Sequence, residues 1–201
     1  MVAIIDYDAG NIRSVEKALE ALGARPVVTR NPEVIEGADR VILPGVGSFG
    51  DAMGRLNQYG LPQLIRKTVS SGKPFLGICL GLQLLFEESQ ESPGVPGLGI
   101  LKGKILKIPP AEGLKIPHMG WNSLSLRPDT RLFWGIRDQE YVYFVHSYYL
   151  KAEDPGQVAA TAWYGTEIHA AVEAGNVFAC QFHPEKSGQA GLRILKNFLE
   201  A

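Results

Sequence analysis

A cysteine between two glycines carries the strongest chemical signal in this chain of 201 residues. It lies in the stretch Gly77-Ile78-Cys79-Leu80-Gly81. The residues from Pro74 to Ile78 are short and apolar enough for a buried strand, and helical spacing follows at Leu80, Leu84 and Leu85. We predict that the chain turns sharply from strand to helix at Cys79, as in a nucleophile elbow with sulfur in place of the serine oxygen.

The predicted helix start at Leu80 favours a reactive sulfur. Unpaired N–H groups and the positive end of the helix dipole stabilise a thiolate relative to a thiol. The alternative is a small buried cysteine at a strand end. Gly77 and Gly81 argue against it, because a tight strand-to-helix turn needs residues without a side chain at these places.

A second segment, Val177 to Glu185, supplies a candidate base and ends in His183-Pro184-Glu185. Pro184 biases His183 toward extended geometry, in which residues i and i+2 project to the same side. We therefore expect Glu185 to orient His183, which completes the roles of nucleophile, base and orienting carboxylate. Taken alone, the His-Pro-Glu sequence is equally compatible with a solvated turn.

A glycine-rich loop, Pro44-Gly45-Val46-Gly47, follows the apolar stretch Val41 to Leu43. Backbone N–H groups exposed by such a loop can bind a developing oxyanion. We expect Gly45, Val46 and Gly47 to act in this way, together with the N–H of Leu80. A phosphate-binding loop is the rival interpretation, but no Gly-Lys-Ser/Thr follows the glycines.

These three motifs, in this order and spacing, resemble those of the class I (triad-type) glutamine amidotransferases. Two further stretches, Asp6 to Val15 and Pro117 to Asn122, are similar to the glutaminase subunits of imidazole glycerol phosphate synthases, which serve histidine biosynthesis. The similarity extends over nearly the whole chain, with no departure at the triad.

The resemblance implies a glutaminase that uses Cys79, His183 and Glu185. Cys79 would attack the side-chain amide carbon of glutamine, and His183 would protonate the departing ammonia. A water activated by His183 would then free glutamate. The residues that the resemblance places around the glutamine are Gly47, Gln83, Ser147 and Tyr148.

The same resemblance implies a second protein that receives the ammonia. Ammonia released into water would be protonated and lost, so the family passes it through a channel to a (β/α)8-barrel cyclase in a heterodimer. The nucleotide that accepts the ammonia would bind the cyclase, and no cofactor is implied. Candidates for the contact face are Asn11, Trp121, Tyr143 and Lys186, which are also compatible with ordinary surface or core positions.

The glycines of the Pro44 loop suggest a means of regulation. Gly45 and Gly47 permit a peptide flip beside Val46, since glycine meets no steric penalty at positive φ. We expect a loop carbonyl to point into the site in the isolated chain, and an N–H to replace it when partner and nucleotide bind. Such a switch would prevent wasteful hydrolysis of glutamine.

Functions outside this family stay open at this point. A cysteine hydrolase acting alone, such as a peptidase or γ-glutamyl hydrolase, could use the same triad. A catalytically silent regulatory protein could retain the fold, although it would have little need for elbow, loop and triad together. Within the family, a glutaminase of another pathway, such as anthranilate or pyridoxal phosphate synthesis, is the alternative.

Length and composition indicate one globular domain over residues 1–201. Hydrophobic residues make up 45% and charged residues 20%, which is ordinary for a soluble protein. A formal net charge of −1 argues against binding to nucleic acid. The first residues form neither a basic leader nor a long apolar run, so we expect no membrane segment or secretory signal and a cytoplasmic location.

The second cysteine is interpreted as structural, and metal catalysis by the other histidines is not expected. Cys180 lies inside an apolar strand, and two cysteines do not suggest a disulfide framework. The ligand spacing of a Cys/His metal site is not present around His118, His146 and His169. A dinucleotide site is not expected either, because no G-x-G-x-x-G follows the first strand.

Alternating strands and helices in the first half predict a parallel sheet. Strands are expected at 1–5, 26–29, 40–43 and 74–78, and helices at 11–22, 49–58, 61–70 and 187–199. The fold class is therefore α/β, an open, mostly parallel central sheet flanked by helices, flavodoxin-like as in the resembled family. Period-two alternation over 100–177 predicts an antiparallel β extension, with its densest aromatic strand at 141–149.

Overall fold

The structure, a computed structural model, describes residues 1–201 and contains six α-helices and thirteen strands. The helices are α1 Ile12–Ala21, α2 Pro32–Gly37, α3 Phe49–Gln58, α4 Leu61–Ser70, α5 Leu80–Leu84 and α6 Gly188–Glu200. Two 3-10 turns cover Pro155–Gln157 and Pro184–Lys186. None of the helices combines the length and the apolar character needed to cross a membrane.

The strands divide between one large sheet and two small ones. They are β1 Val2–Ile5, β2 Pro26–Thr29, β3 Arg40–Leu43, β4 Phe75–Ile78, β5 Glu88–Ser89, β6 Gly103–Lys107, β7 His118–Ser123, β8 Ser125–Leu126, β9 Tyr141–His146, β10 Tyr148–Ala152, β11 Val158–Trp163, β12 Glu167–Ala174 and β13 Val177–Cys180. The large sheet has the order β2-β1-β3-β4-β13-β12-β11-β8. The first five strands of that order pair in parallel, and each of the last three joins its neighbour by antiparallel pairing, which confirms the predicted α/β class.

The parallel strands β1, β4 and β13 are buried along their whole length, which explains their continuous apolar sequences, whereas the edge strand β2 is half-buried. In β1, Ala3 and Ile5 face a core cluster of 28 residues, whereas Val2 and Ile4 face a second cluster of 25 on the opposite side. Helices α3 and α4 contribute to the first cluster, and α1 and α6 to the second. The near-equal clusters identify a sheet sandwiched between two helical layers.

The sheet order brings together the three segments that the motifs singled out. Strands β3, β4 and β13 are direct neighbours and run parallel. Their carboxyl ends therefore meet at one edge, where ligands of open α/β sheets bind. The Pro44 loop follows β3, Cys79 follows β4, and His183 lies three residues beyond β13.

The second half contains the predicted β extension. Strands β10, β6 and β5 form a three-stranded sheet, and β7 and β9 form a two-stranded one. The pairs β10–β6 and β7–β9 are antiparallel, as expected, whereas the short β5 pairs parallel to β6.

One short helix was not predicted, and one predicted strand was wrong. The stretch after β2 contains helix α2, capped by the Asn31 side chain, which accepts a hydrogen bond from the Glu33 N–H at 2.9 Å. Pro32 at the first helical position, where its missing N–H does no harm, completes the start signal that the prediction overlooked. The aromatic strand at 141–149 is interrupted at Ser147, so that β9 pairs with β7 and β10 pairs with β6.

Candidate active site

Cys79 adopts the backbone conformation of an elbow, with φ 55° and ψ −108°. A side chain at either flanking glycine would be incompatible with this turn. A Cβ on Gly77 would lie 2.7 Å from the Gly81 carbonyl oxygen, and one on Gly81 would lie 1.9 Å from the Leu43 carbonyl oxygen. The glycines are therefore required for close packing of α5 against β4 and β3.

Helix α5 holds the sulfur at its start, but it has only five residues. Leu80, Leu84 and Leu85, which have helical spacing in the sequence, are all buried. Every residue of α5 is buried, so the helix is enclosed on all sides and has no polar face. The Cys79 N–H donates to the Cys180 carbonyl oxygen at 2.8 Å, which ties the elbow to β13.

His183 and Glu185 contact each other at the end of β13. The distance between His183 Nδ1 and Glu185 Oε1 is 2.8 Å, and both side chains are almost fully buried. The contact was expected but its geometry was not: the two residues are joined by the 3-10 turn Pro184–Lys186 rather than by a continued strand. His183 itself is extended, with φ −101° and ψ 95°, as its position before a proline favours.

The electrostatics of His183 suit a proton-transfer group that works beside an anion. Burial alone would lower the pKa of His183, but hydrogen bonds and charges from Cys79 and Glu185 outweigh it and raise that pKa to about 10. A protonated imidazole is therefore stabilised between the Cys79 sulfur and the Glu185 carboxylate.

Asn11 extends this group of side chains. Its amide nitrogen donates to Glu185 Oε1 at 2.5 Å. Asn11 adopts a left-handed conformation, with φ 69°, just before α1. The sequence interpretation placed Asn11 on a contact face, and no sequence signal linked it to Glu185.

The Pro44 loop lies directly against the start of α5. The Leu80 N–H donates to the Gly45 carbonyl oxygen at 3.3 Å. Behind the loop, the buried Tyr7 hydroxyl donates to the Pro44 carbonyl oxygen at 2.8 Å. A Cβ on Gly45 would lie 2.2 Å from the Tyr7 hydroxyl oxygen, so only glycine fits there. Gly47 has φ 102°, which also favours glycine.

A cavity of about 360 Å³ opens beside Cys79 and His183. All four residues expected to hold glutamine line it, namely Gly47, Gln83, Ser147 and Tyr148. Pocket residues that sequence reasoning missed are Glu91, Pro117, Val145 and His146. A larger cavity of about 730 Å³ lies elsewhere, between the 126–138 segment and the end of α6, and no predicted site residue lines it.

The predicted contact residues do not all lie on one surface. Trp121 is 55% exposed and packs edge-on against Tyr143, with ring centroids 6.0 Å apart. Met119 and Tyr141 are exposed on the same face of the β7–β9 sheet, because the register pairs Trp121 with Tyr143. We call these four residues the β7–β9 face. Lys186 lines the cavity, whereas Asn11 contacts the triad.

The remaining histidines are buried in hydrogen-bonded positions. His118 Nδ1 lies 2.9 Å from His146 Nε2, and the His169 Nδ1 accepts from the Ala152 N–H at 3.0 Å. No group of three or more His, Cys, Asp or Glu side chains is placed to hold a metal ion. Both cysteines are free thiols.

Comparison with known proteins relates this geometry to a family. The model of the family "Glutamine amidotransferase class-I" matches residues 3–201. The chain is 53% identical to imidazole glycerol phosphate synthase subunit HisH of Methanothermobacter thermautotrophicus over 200 residues, covering 100% of this chain and 98% of the relative. The protein of the same name from Thermosynechococcus vestitus is also 53% identical, over 98% and 95% of the two chains.

Solved structures show the same architecture. A crystal structure of a glutamine amidotransferase superposes with a TM-score of 0.75 at 26% identity, covering 100% of this chain and 98% of the other. A glutamine amidotransferase from Thermotoga maritima has a TM-score of 0.66 at 17% identity, over 99% and 82% of the two chains, and supports the fold alone.

Proposed function

Because the chain belongs to the class I glutamine amidotransferases, we propose that it is the glutaminase subunit of an imidazole glycerol phosphate synthase. In this role it hydrolyses glutamine to glutamate and ammonia and delivers the ammonia to a synthase partner. Identity of 53% over the full chain to subunits of that name supports the choice of pathway over anthranilate or pyridoxal phosphate synthesis.

The observation that carries the proposal is the convergence of three groups on one cavity. The Cys79 elbow, the His183–Glu185 pair at 2.8 Å and the Pro44 loop all reach the carboxyl edge of the sheet. Cys79 and His183 both line the cavity with the four candidate glutamine-binding residues. A nucleophile, its base and a substrate-sized space are thus assembled together.

The reaction proceeds in two halves. The Cys79 sulfur attacks the side-chain amide carbon of glutamine, and the carbonyl oxygen becomes an oxyanion that N–H groups of Leu80 and the Pro44 loop bind. His183 gives its proton to the departing nitrogen, so ammonia leaves and a thioester stays on Cys79. His183 then takes a proton from water, whose oxygen attacks the thioester and releases glutamate.

Glu185 acts through His183 rather than on the substrate. Its carboxylate accepts from His183 Nδ1–H and thereby holds Nε2 toward the reacting atoms. Asn11 holds the carboxylate in turn. The triad is therefore fixed by contacts outside the cavity, which leaves the Cys79 side of the imidazole free for proton transfer.

The proposal includes a (β/α)8-barrel cyclase that binds the β7–β9 face and receives the ammonia through a channel in a heterodimer. The face supports this because four large apolar or aromatic side chains stand together on a surface beside the cavity. The nucleotide and the lyase step then belong to the partner. We also infer that residues 1–201 form one domain and act in the cytoplasm, in keeping with two free thiols.

A free-standing cysteine hydrolase fits the geometry less well. The Leu80 N–H is already occupied by the Gly45 carbonyl oxygen at 3.3 Å, so the isolated chain lacks one oxyanion donor. A hydrolase that worked alone would need the Leu80 N–H to be available in the isolated chain. A subunit that becomes active only when its partner binds would not need it before binding.

The test is to measure glutamate release and product formation by the complex with its barrel cyclase. Cys79→Ala should abolish glutamine-dependent synthesis but leave synthesis from added ammonium salts. The matched control is Cys180→Ala, which removes the other buried thiol and should retain glutamine-dependent synthesis. Glutamine hydrolysis by the Cys79→Ala variant would refute the proposed function.

A further inference from the structure

Gln181 is a fully buried polar side chain that the mechanism above does not use. It lies two residues before His183 and is 0% exposed. Its amide contacts two residues of the site: Gln181 Oε1 lies 3.1 Å from Gln83 Nε2, and Gln181 Nε2 lies 3.8 Å from Cys79 Sγ. The side chain therefore bridges the nucleophile and a candidate glutamine-binding residue.

The direction of these hydrogen bonds follows from one acceptor. The Tyr148 carbonyl oxygen lies 3.1 Å from the Gln83 amide and can only accept, so the Gln83 atom beside it is the NH₂ group. The second hydrogen of that NH₂ group points to Gln181, which must therefore present its carbonyl oxygen. The NH₂ group of Gln181 is then the one that faces Cys79 Sγ.

A second series of hydrogen bonds, which also begins at the Tyr148 carbonyl oxygen, is consistent with this oxygen acting as an acceptor. His146 Nδ1 lies 2.8 Å from the Tyr148 oxygen and must donate to it. His146 Nε2 then accepts from His118 Nδ1–H at 2.9 Å, and His118 Nε2 accepts from the Asn122 amide at 3.4 Å. Burial lowers the pKa of both imidazoles, His118 to about 4 and His146 to about 3, so both rings are neutral as the chain requires.

We propose that Gln181 takes part in the glutaminase reaction by donating its amide hydrogen to the Cys79 sulfur, which stabilises the thiolate, while its carbonyl oxygen fixes the Gln83 amide. The inference rests on the proposed function, in which Cys79 is the nucleophile. A neutral donor to sulfur favours the charged form without adding a second ionisable group.

The same hydrogen bonds determine which atom of Gln83 can bind the substrate. Both hydrogens of its NH₂ group are used, toward Tyr148 and Gln181, and only Oε1 is left for a ligand in the cavity. Gln83 therefore recognises an N–H donor of glutamine. Gln181 keeps it in that orientation.

The pH dependence of alkylation of Cys79 by iodoacetamide tests the donor role, because the thiolate is the reactive form. Titratable groups near Cys79 are His183, Tyr7 and Cys180, and Glu91, His146, Tyr148 and Lys186 line the same cavity. All of them stay unchanged in the variants. Gln181→Met, similar in length but without a donor, should raise the pH midpoint of alkylation by about one unit. An unchanged midpoint would overturn the proposal.

Gln181→Glu separates the two halves of the role. A glutamate that is ionised over the pH range of the alkylation keeps an acceptor for Gln83 but replaces the donor to sulfur with a carboxylate oxygen, which disfavours the thiolate. Its midpoint should rise at least as far as that of Gln181→Met, with an approximately tenfold fall in kcat for glutamine and a KM within about twofold. A midpoint at the wild-type value in this variant also counts against the donor role.

Control experiments distinguish a wrong role for Gln181 from a variant that fails to fold and from a wrong assignment of the glutaminase function. Gln157→Met makes the same replacement outside the network and should leave the midpoint unchanged. Synthesis from ammonium salts by the complex reports whether each variant folds and assembles, and if Gln181→Met does not, Gln181→Glu decides the question. Alkylation of Cys79 does not require glutamine turnover, so its result stands even if the Cys79→Ala experiment refutes the glutaminase.

Discussion

The Leu80 N–H donates to the Gly45 carbonyl oxygen at 3.3 Å, so a group expected to bind the oxyanion is occupied by the loop itself. The sequence interpretation proposed that a loop carbonyl points into the site in the isolated chain, and the Gly45 carbonyl is the candidate for it. The Tyr7 hydroxyl holds the preceding carbonyl, that of Pro44, at 2.8 Å. A flip of the Gly45–Val46 peptide would free the Leu80 N–H without disturbing this anchor.

We therefore expect low glutaminase activity in the isolated chain, a rise when the cyclase binds, and a further rise with its nucleotide. Each tenfold of activation corresponds to about 1.4 kcal/mol between the two loop states. The activation is measured as glutamate release by the isolated chain, by the complex with the cyclase, and by the complex with its nucleotide. Full activity of the chain alone would exclude the flip as a switch.

Loss of the base should be nearly as damaging as loss of the nucleophile. His183→Ala removes proton transfer, worth about 10²–10⁴ in rate. Glu185→Gln should be milder, because the amide still approaches His183 Nδ1 and the carboxylate only orients the ring. Glutamate release by both variants in the complex, compared with Cys79→Ala, gives the order. A larger loss for Glu185→Gln than for His183→Ala would contradict the assigned roles.

Removal of the Trp121 side chain should weaken binding of the cyclase. Trp121 is 55% exposed at the centre of the β7–β9 face, and buried tryptophans at interfaces contribute about 2 kcal/mol or more, or roughly thirtyfold in Kd. Titration of the cyclase into Trp121→Ala measures this. Trp134→Ala is the matched control, since Trp134 is 69% exposed beside Arg193 and away from that face. Equal effects of the two changes would argue against the face as the interface.

Stability should fall in mild acid because two neutral histidines are buried. Burial lowers the pKa of His118 to about 4 and of His146 to about 3, from an ordinary value of 6.5. The unfolded chain then binds more protons between those values. The two neutral histidines make their full contribution to the free energy of unfolding above pH 6.5. This contribution is lost as the pH falls toward 4 for His118 and 3 for His146, by about 1.4 kcal/mol per pH unit for each histidine.

Urea unfolding at pH 7, 6 and 5 checks this expectation. A chain that carries both His118→Gln and His146→Gln should show a flatter dependence on pH than the natural chain, because glutamine does not titrate. Equal slopes for the two proteins would mean that the histidines are not neutral in the folded state.

Much of the fold and the core of the site followed from local sequence. Helices α3 and α4 have the predicted bounds, because their apolar periodicity is strong and Gly60 separates them. The elbow was predictable because the glycines at 77 and 81 are a direct requirement of backbone packing. These are constraints between near neighbours, which spacing along the chain reveals.

Other features depended on how distant segments converge. Asn11 and Glu185 are 174 residues apart, and Gln181 and Cys79 are 102 apart, yet each pair is hydrogen-bonded. Local periodicity tells which side of a strand a residue occupies, but it does not tell which strand lies beside it. The sequence by itself identified the candidate nucleophile, the candidate base and the loop, whereas the sheet order β3-β4-β13 decided the polar contacts around them, because only the folded chain brings those donors and acceptors within hydrogen-bonding distance.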